Sequence, residues 1–236
     1  MSSILHSQFL VHWTGGGKGD FHQSHGPLND GIRSQYVDRL ADDLQSGFYM
    51  NRGKEKIWGV NNENITSRIA RVCFTEIKLS MVRRHANLYG SLGIGVTRDY
   101  VLERYGGPVF YVQNGKKSNV VENFHKISSF LVGKPIEGEF ATLMGYVKNM
   151  SKKDHKKLIY YDEMEWRVVH LRRLDGRYVT PQDPSRLIYR LKLEPADVKV
   201  IVFPDLKTKR MALRRPAIRS RVVSPICVTL DDCDNF

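Results

Sequence analysis

One strand-like stretch at residues 158–171, with the sequence LIYYDEMEWRVVHL, is the feature that most constrains the fold. It is rich in aromatic and β-branched residues and contains no glycine or proline, which predicts a β-strand. Because side chains alternate along a strand, the apolar side chains of Met164, Trp166 and Val168 should face a core. The opposite face should carry three charged side chains, those of Glu163, Glu165 and Arg167.

The charged face of this stretch has two interpretations. Two carboxylates about 7 Å apart repel each other unless a cation, a hydrogen-bond network or a ligand lies between them. The face is therefore either a solvated surface on which Arg167 neutralises its neighbours, or part of a functional site.

Short apolar runs and a few amphipathic segments make up the rest of the chain. Strands are expected at 9–13, 48–50, 72–74, 94–96, 108–113, 187–191, 198–203 and 222–223, and helices at 35–46, 79–89, 99–104, 120–132 and 140–150. They do not follow a regular βαβ alternation. This favours the α+β class, as a single domain over residues 1–236 with a split or mixed β-sheet of short strands flanked by helices.

Three segments are expected to lie outside this regular structure. The glycine-rich residues 15–34 predict a mobile loop, of the kind that forms either a binding lid or an insertion without a role. The polar residues 51–67 predict a second loop. Residues 207–236 form a basic tail region.

Composition limits the class of protein. The 236 residues are 41% hydrophobic, which is enough for a core, and no apolar run approaches the length that spans a bilayer. Three cysteines are too few and too scattered for a disulfide framework or a zinc site, which predicts a cytoplasmic protein. A net charge of +12 predicts an anionic partner, such as nucleic acid, a nucleotide, an acidic protein or a membrane surface.

The tail concentrates part of this charge. Between residues 207 and 221 there are seven basic residues and no acid. These are Lys207, Lys209, Arg210, Arg214, Arg215, Arg219 and Arg221. Such a run is usually a solvated face, but the overall charge makes it a candidate nucleic-acid-binding surface.

Four further residues are candidates for chemistry. His12 and Thr14 belong to the strand FLVHWT, and His85 and Tyr89 stand four apart on one face of a predicted helix. Each could equally be a packed residue. The segment GGGKGD that follows Thr14 is not a P-loop, because the required spacing is absent.

The block at 72–112, VCFTEIKLSMVRRHANLYGSLGIGVTRDYVLERYGGPVFYV, resembles the AbiGi abortive-infection family of phage-resistance proteins. The motifs that carry this resemblance include His85, Tyr89-Gly90, Gly93-Ile94-Gly95 and Pro108-Val109, together with HWT at 12–14 and EMEWR at 163–167. It extends over about 9–205. The chain has EIKL at 76–79 where the family usually has Asp-Ile-Pro-Leu, and the tail from Lys207 has no match.

The order of a His-x-Thr strand, a helix ending in glycine and a late strand with glutamate is also similar to the ADP-ribosyltransferase layout. That resemblance implies NAD as a substrate and no metal. His12 would hold the adenosine ribose and Thr14 the nicotinamide, with His85, Tyr89 and Arg167 completing the cofactor site. Glu165 would stabilise the oxocarbenium character that develops on the ribose, and Glu163 would position or deprotonate the acceptor.

Two functions of different classes follow. The first is an anti-phage toxin or effector with an ADP-ribosyltransferase-like fold, which transfers ADP-ribose from NAD to a nucleic acid, RNA favoured over DNA, and is restrained by a cognate antitoxin. The alternative is a non-catalytic antitoxin or regulatory binding protein of an abortive-infection toxin–antitoxin system. A nuclease is disfavoured, because Arg167 beside the acidic residues argues against a bound metal.

Overall fold

The computed structural model describes residues 9–15, 28–50, 52, 55–58, 64–67, 69–76, 81–112, 118–149, 164–183, 188–222 and 224–234. In these parts of the chain the strands are β1 (Phe9–Thr14), β2 (Phe48–Met50), β3 (Glu55–Trp58), β4 (Asn64–Ser67), β5 (Arg71–Thr75), β6 (Leu92–Thr97), β7 (Gly107–Pro108), β8 (Phe110–Val112), β9 (Val147–Asn149), β10 (Glu165–Val169), β11 (Val179–Asp183), β12 (Ile188–Leu191), β13 (Val200–Phe203) and β14 (Ile226–Thr229). The helices are α1 (Asp30–Ser46), α2 (Val82–Tyr89), α3 (Arg98–Glu103), α4 (Asn119–Leu131), α5 (Glu137–Met144), α6 (Leu206–Arg214), α7 (Pro216–Arg219) and α8 (Leu230–Cys233). Short 3-10 turns cover Arg172–Leu174 and Pro195–Asp197.

A seven-stranded mixed sheet organises the fold, with the strand order β14-β13-β6-β1-β5-β10-β7. Neighbouring strands pair antiparallel, except that β13 and β14 run parallel. A three-stranded sheet, β11-β12-β2, and the two-stranded pairs β3-β4 and β8-β9 complete the described β-structure. The predicted α+β class with a mixed sheet is confirmed.

The main core lies between one face of the seven-stranded sheet and helix α1. Asn29 caps this helix by accepting a hydrogen bond from the Ile32 backbone N–H, and Gly47 ends it with a φ of 84°. The buried side chains of Tyr36, Leu40 and Leu44 recur at helical spacing and join sheet residues in one cluster. Burial of this stripe fixes α1 on the sheet.

The opposite face of the sheet packs against α2 and α8. Val11 and Trp13 of β1 cluster there with Val82 and Ala86 of α2. A Cβ on Gly93 would come within 2.9 Å of both Trp13 and Val11, so the glycine makes room for the indole. The glycines of the GIG motif in β6 thus serve close packing.

Several sequence predictions of local structure need correction. Residues 30–34 begin α1 and are not loop, because Asn29 caps the helix; residues 16–27 of the predicted loop lie outside the described residues. The stretch 51–67 contains the antiparallel pair β3-β4, in which the β-branched residues Ile57 and Ile65 stand opposite each other despite the polar composition around them. The helix expected over 140–150 is α5, which ends at Met144 and gives way to β9.

The chain's last strand and its organising strand also differ from the prediction. The last described strand is β14, whereas Val222 lies outside any strand and residue 223 lies outside the described residues. The organising strand is β10, which covers Glu165–Val169; Glu163 lies outside the described residues. No helix in the described ranges is long and apolar enough to cross a membrane.

Candidate functional site

Strand β10 lies inside the seven-stranded sheet, between β5 and β7. Its register places Glu165 opposite Thr75 and Arg167 opposite Cys73 of β5. As predicted from alternation, Glu165 and Arg167 share one face. That face is buried, with Glu165 only 6% exposed and Arg167 only 1% exposed. It is therefore not the solvated surface that one interpretation expected.

Three buried side chains form a charge cluster, which consists of Lys148, Glu165 and Arg167. Lys148 Nζ donates to Glu165 Oε2 at 2.6 Å, and Arg167 Nε donates to Glu165 Oε1 at 2.7 Å. Arg167 also donates to the backbone carbonyl of Gly145 at 2.8 Å. Both carboxylate oxygens of Glu165 are thus bound by cations of the chain itself.

The charge cluster holds its carboxylate ionised. Burial opposes ionisation, but the charges of Arg167 and Lys148 outweigh it and hold the pKa of Glu165 well below its usual range. The neighbouring Cys73 has its thiol pKa raised to about 12, first by burial and then by the charge of Glu165. A neutral buried thiol of this kind is not a nucleophile.

His12 is partly buried beside the main core. Its Nδ1–H donates to the backbone carbonyl of Cys73 at 2.9 Å, and its ring centroid lies 4.8 Å from that of Phe48 and 6.0 Å from that of Phe74. Burial lowers the pKa of His12 to about 4, so the ring is neutral at pH 7. These contacts are those of a histidine packed on two core aromatic residues.

The sheet register separates the predicted cofactor residues. Val11 pairs with Thr75, and Thr75 pairs with Glu165, so these three side chains share one face of the sheet. Alternation along β1 puts His12 and Thr14 on the other face. The structure therefore does not bring His12 or Thr14 together with Glu165.

His85 and Tyr89 lie on α2, which packs on the face of β1 that carries Val11 and Trp13. Their ring centroids are 6.2 Å apart, His85 is buried and Tyr89 is partly buried in the same cluster. They thus lie on the side of the sheet opposite to His12.

The seven basic residues at 207–221 lie in or next to α6 and α7, and most of them bind other parts of the chain. Four of the seven bind other parts of the chain: Lys207 binds Asp30, Lys209 the carbonyl of Cys227, Arg215 Asp38, and Arg221 the carbonyl of Leu44. The other three, Arg210, Arg214 and Arg219, are exposed. The four paired basic residues therefore attach α6 and α7 to α1 and to β14.

A groove that the sequence did not predict lies between α5 and the turn that follows β10. Two adjoining depressions, of about 660 Å³ and about 830 Å³, share Glu139, Thr142, Leu171 and Arg172. Tyr105 and Phe110 line the first, and Arg52 lines the second. We call the two depressions together the α5 groove. Two aromatic residues beside the sequence Gly106-Gly107-Pro108, Tyr105 and Phe110, are the signal in the sequence that could have indicated this groove.

Residues 36–204, more than two thirds of the chain, match the family model described as "Putative abortive phage resistance protein AbiGi, antitoxin". The chain belongs to the AbiGi family. No curated protein and no solved structure matches it significantly.

Membership in the AbiGi family confirms the resemblance stated from the central block and corrects the predicted function. The family description names an antitoxin, so the prediction of an ADP-ribosyltransferase toxin was wrong and the alternative, a non-catalytic antitoxin, is favoured. The description supports an abortive-infection context, and an antitoxin has a toxin protein as its partner. The closed charge cluster gives a physical reason for the correction, because Glu165 binds two cations of the chain.

Proposed function

We propose that this chain is an antitoxin that neutralises a partner toxin protein by binding it, without catalysis. The family description, which names an antitoxin, carries this proposal, and the state of Glu165, on which the enzyme hypothesis depended, agrees with it. The two carboxylate oxygens of Glu165 bind Lys148 and Arg167 at 2.6 and 2.7 Å in a buried environment. A carboxylate that stabilises a transition state has to face the substrate, and this one faces the interior.

Binding and catalysis predict different stoichiometries, which provides the test. Each protein encoded by a gene that flanks the gene of this chain is expressed from an inducible promoter, alone and together with this chain. We expect one of them to arrest growth alone, to be tolerated together with the chain, and to co-purify with it as a complex of fixed molar ratio.

The purified pair then separates the two mechanisms. Neutralisation by binding should be complete at the earliest measured time and should stop increasing at the molar ratio of the complex. Neutralisation by a small fraction of the chain, increasing with time, would overturn the proposal, and so would the absence of any flanking toxin that the chain binds.

A nucleic-acid contact is a separate proposal. The net charge of +12 and the exposed side chains of Arg210, Arg214 and Arg219 support it. It needs no catalytic residue, and it is compatible with an antitoxin that binds a toxin through another surface.

A further inference from the structure

The α5 groove combines features that are typical of protein-binding hot spots. Aromatic residues and arginine are enriched at such sites, and they act where a pocket excludes water. Phe110 is 61% exposed at one rim. At the same rim the Arg173 guanidinium lies 3.8 Å from the centroid of the exposed Tyr105 ring.

Tyr105 is held at this rim by an unusual backbone conformation. It has a φ of 56°, in the left-handed region that non-glycine residues occupy at a cost on the order of 1 kcal/mol. The Tyr146 hydroxyl donates to its carbonyl at 2.7 Å, and the Gly106 N–H donates to the carbonyl of Val101 at 2.8 Å. The surrounding structure therefore fixes a strained residue whose ring faces a groove.

Exposed apolar side chains continue from the groove along the α4–α5 hairpin. Ile136 and Leu143 flank Glu139 at helical spacing around the outward side of α5, and both are exposed. Phe130, near the end of α4, is 75% exposed. The hairpin fully buries only Val121 and Met144 among its described residues, and Phe124 and Phe140 pack partly buried against them, so several of its other apolar side chains stay exposed.

Charge indicates what kind of partner fits. Three arginines, Arg52, Arg172 and Arg173, line the groove together with two acidic residues, Glu139 and Asp175. The cationic excess is complementary to carboxylates. A second copy of this chain would bring another molecule of charge +12 and another set of arginines to the same place.

We infer that the α5 groove and the outward face of α5 receive the toxin, through a toxin segment that presents an apolar side chain flanked by carboxylates. This inference rests on the proposed antitoxin function and adds the surface and the chemistry of the contact. Phe110 and Leu143 bind the apolar side chain, and Arg172 and Arg173 bind the carboxylates.

The test uses the full chain and the toxin identified by the growth experiment. Phe110→Ser and Leu143→Gln remove the apolar contacts, and the double variant Arg172→Glu, Arg173→Glu reverses the charge. Leu206→Gln is the matched apolar control on exposed α6, and the double variant Arg210→Glu, Arg214→Glu is the matched charge control. Calorimetry gives the Kd for the toxin, and a melting curve gives the Tm of each variant.

We expect each groove variant to weaken toxin binding by about tenfold or more at an unchanged Tm, and both controls to bind as the wild type does. Binding of the wild type should also weaken as salt is raised, and the charge-reversed variant should lose most of this dependence. These results together would support the surface and the proposed chemistry.

Other outcomes overturn the inference in distinguishable ways. If the wild type binds the toxin and the groove variants bind equally well, the toxin docks elsewhere and the antitoxin function stands. If the groove variants lose binding to single-stranded RNA, or lose self-association in sedimentation, while toxin binding is unchanged, the groove has a different occupant. If the wild type binds no toxin, the proposed function itself fails.

Discussion

Replacing Glu165 with glutamine removes the one negative charge that the two cations of the charge cluster share. Glutamine keeps the volume of the side chain and one carbonyl oxygen. This neutral oxygen can accept a hydrogen bond from Lys148 or from Arg167, but it cannot compensate the positive charge of either. The amide NH₂ of glutamine then faces a cation. Breaking a buried ion pair by removing one partner costs about 3–5 kcal/mol, because the remaining charge stays buried without compensation.

This free energy corresponds to a large shift in melting temperature. For a chain of this length a loss of 1 kcal/mol lowers the Tm by about 2–4 °C, so we expect Glu165→Gln to lower it by roughly 6–20 °C. Glu122→Gln is the matched control, since Glu122 also pairs with a lysine, Lys126, at 2.7 Å, but both side chains are exposed. Because water screens this exposed pair, Glu122→Gln should lower the Tm far less than Glu165→Gln does.

Two further measurements identify the cause. The double variant Lys148→Met, Glu165→Gln should be less destabilised than the sum of the two single variants, with a coupling of about 1–3 kcal/mol. The pKa of Glu165 is lowered in the fold, so its stabilising contribution is present above the pKa of the unfolded chain, near 4.3, and is lost as pH falls toward the folded value. The difference between wild type and Glu165→Gln should therefore narrow below about pH 4.

Chemical denaturation of the wild type and four variants (Glu165→Gln, Glu122→Gln, Lys148→Met and the double variant) provides the assay. If Glu165→Gln costs no more than Glu122→Gln, the carboxylate is not compensating buried charge, and the argument against a catalytic role loses its physical basis. In the enzyme hypothesis the same substitution would leave the fold intact.

Three further predictions concern packing, pH and charge. Gly93→Ala should lower the free energy of unfolding by about 1–3 kcal/mol in a denaturation experiment, because the added Cβ would come within 2.9 Å of Trp13 and Val11. Gly138→Ala is the control in α5: a Cβ there has no heavy atom within 4 Å, so the free energy of unfolding should stay the same or rise by up to about 1 kcal/mol. Burial, with a contribution from Asp42, raises the pKa of Asp43 to about 7, against the charges of Arg39 and Arg190. The free energy of unfolding should therefore fall as pH rises from about 4 to about 7, by about 4 kcal/mol at most. Asp43→Asn should remove most of this pH dependence, and an unchanged pH profile would contradict the prediction. Replacing the three exposed tail arginines, Arg210, Arg214 and Arg219, with glutamine should leave the Tm unchanged. If this face binds nucleic acid, the slope of the logarithm of the binding constant against the logarithm of the salt concentration should decrease in magnitude by roughly 2–3 in total. An unchanged slope would show that the face is a solvated surface.

Local patterns in the sequence were sufficient for several elements. The helices expected at 35–46 and 99–104 are present as α1 and α3. Their signals are local: Tyr36, Leu40 and Leu44 recur at helical spacing, and the Thr97 hydroxyl caps α3 by accepting from the Tyr100 N–H. The first turn of α1 was missed because the sequence NDG at 29–31 is typical of turns. What stabilises that turn is partly distant, since Arg33 binds Asp205 at 2.8 Å.

The helical tail shows the same limit. Seven basic residues without an acid indicated a free cationic surface, yet Lys207 and Arg215 bind Asp30 and Asp38 of α1, which are far away in sequence. A window of a dozen residues contains the basic partner of each pair and not the acidic one. Pairs of this kind are visible only once the fold has brought α6 and α7 against α1.

Alternation along β10 was predicted correctly, but alternation does not tell which element covers each face. Lys148 comes from β9 and closes the charged face, while Val168 on the other face joins the main core. A slip of β10 by one residue relative to β5 would exchange the two faces and turn Glu165 and Arg167 toward the cluster that contains Phe74 and Val168. Burying two charges among apolar side chains, away from Lys148 and from the carbonyl of Gly145, costs several kcal/mol per charge. The charge cluster therefore favours the observed register of β10 against β5, which gives the Glu-x-Arg pair at the start of this strand a structural role.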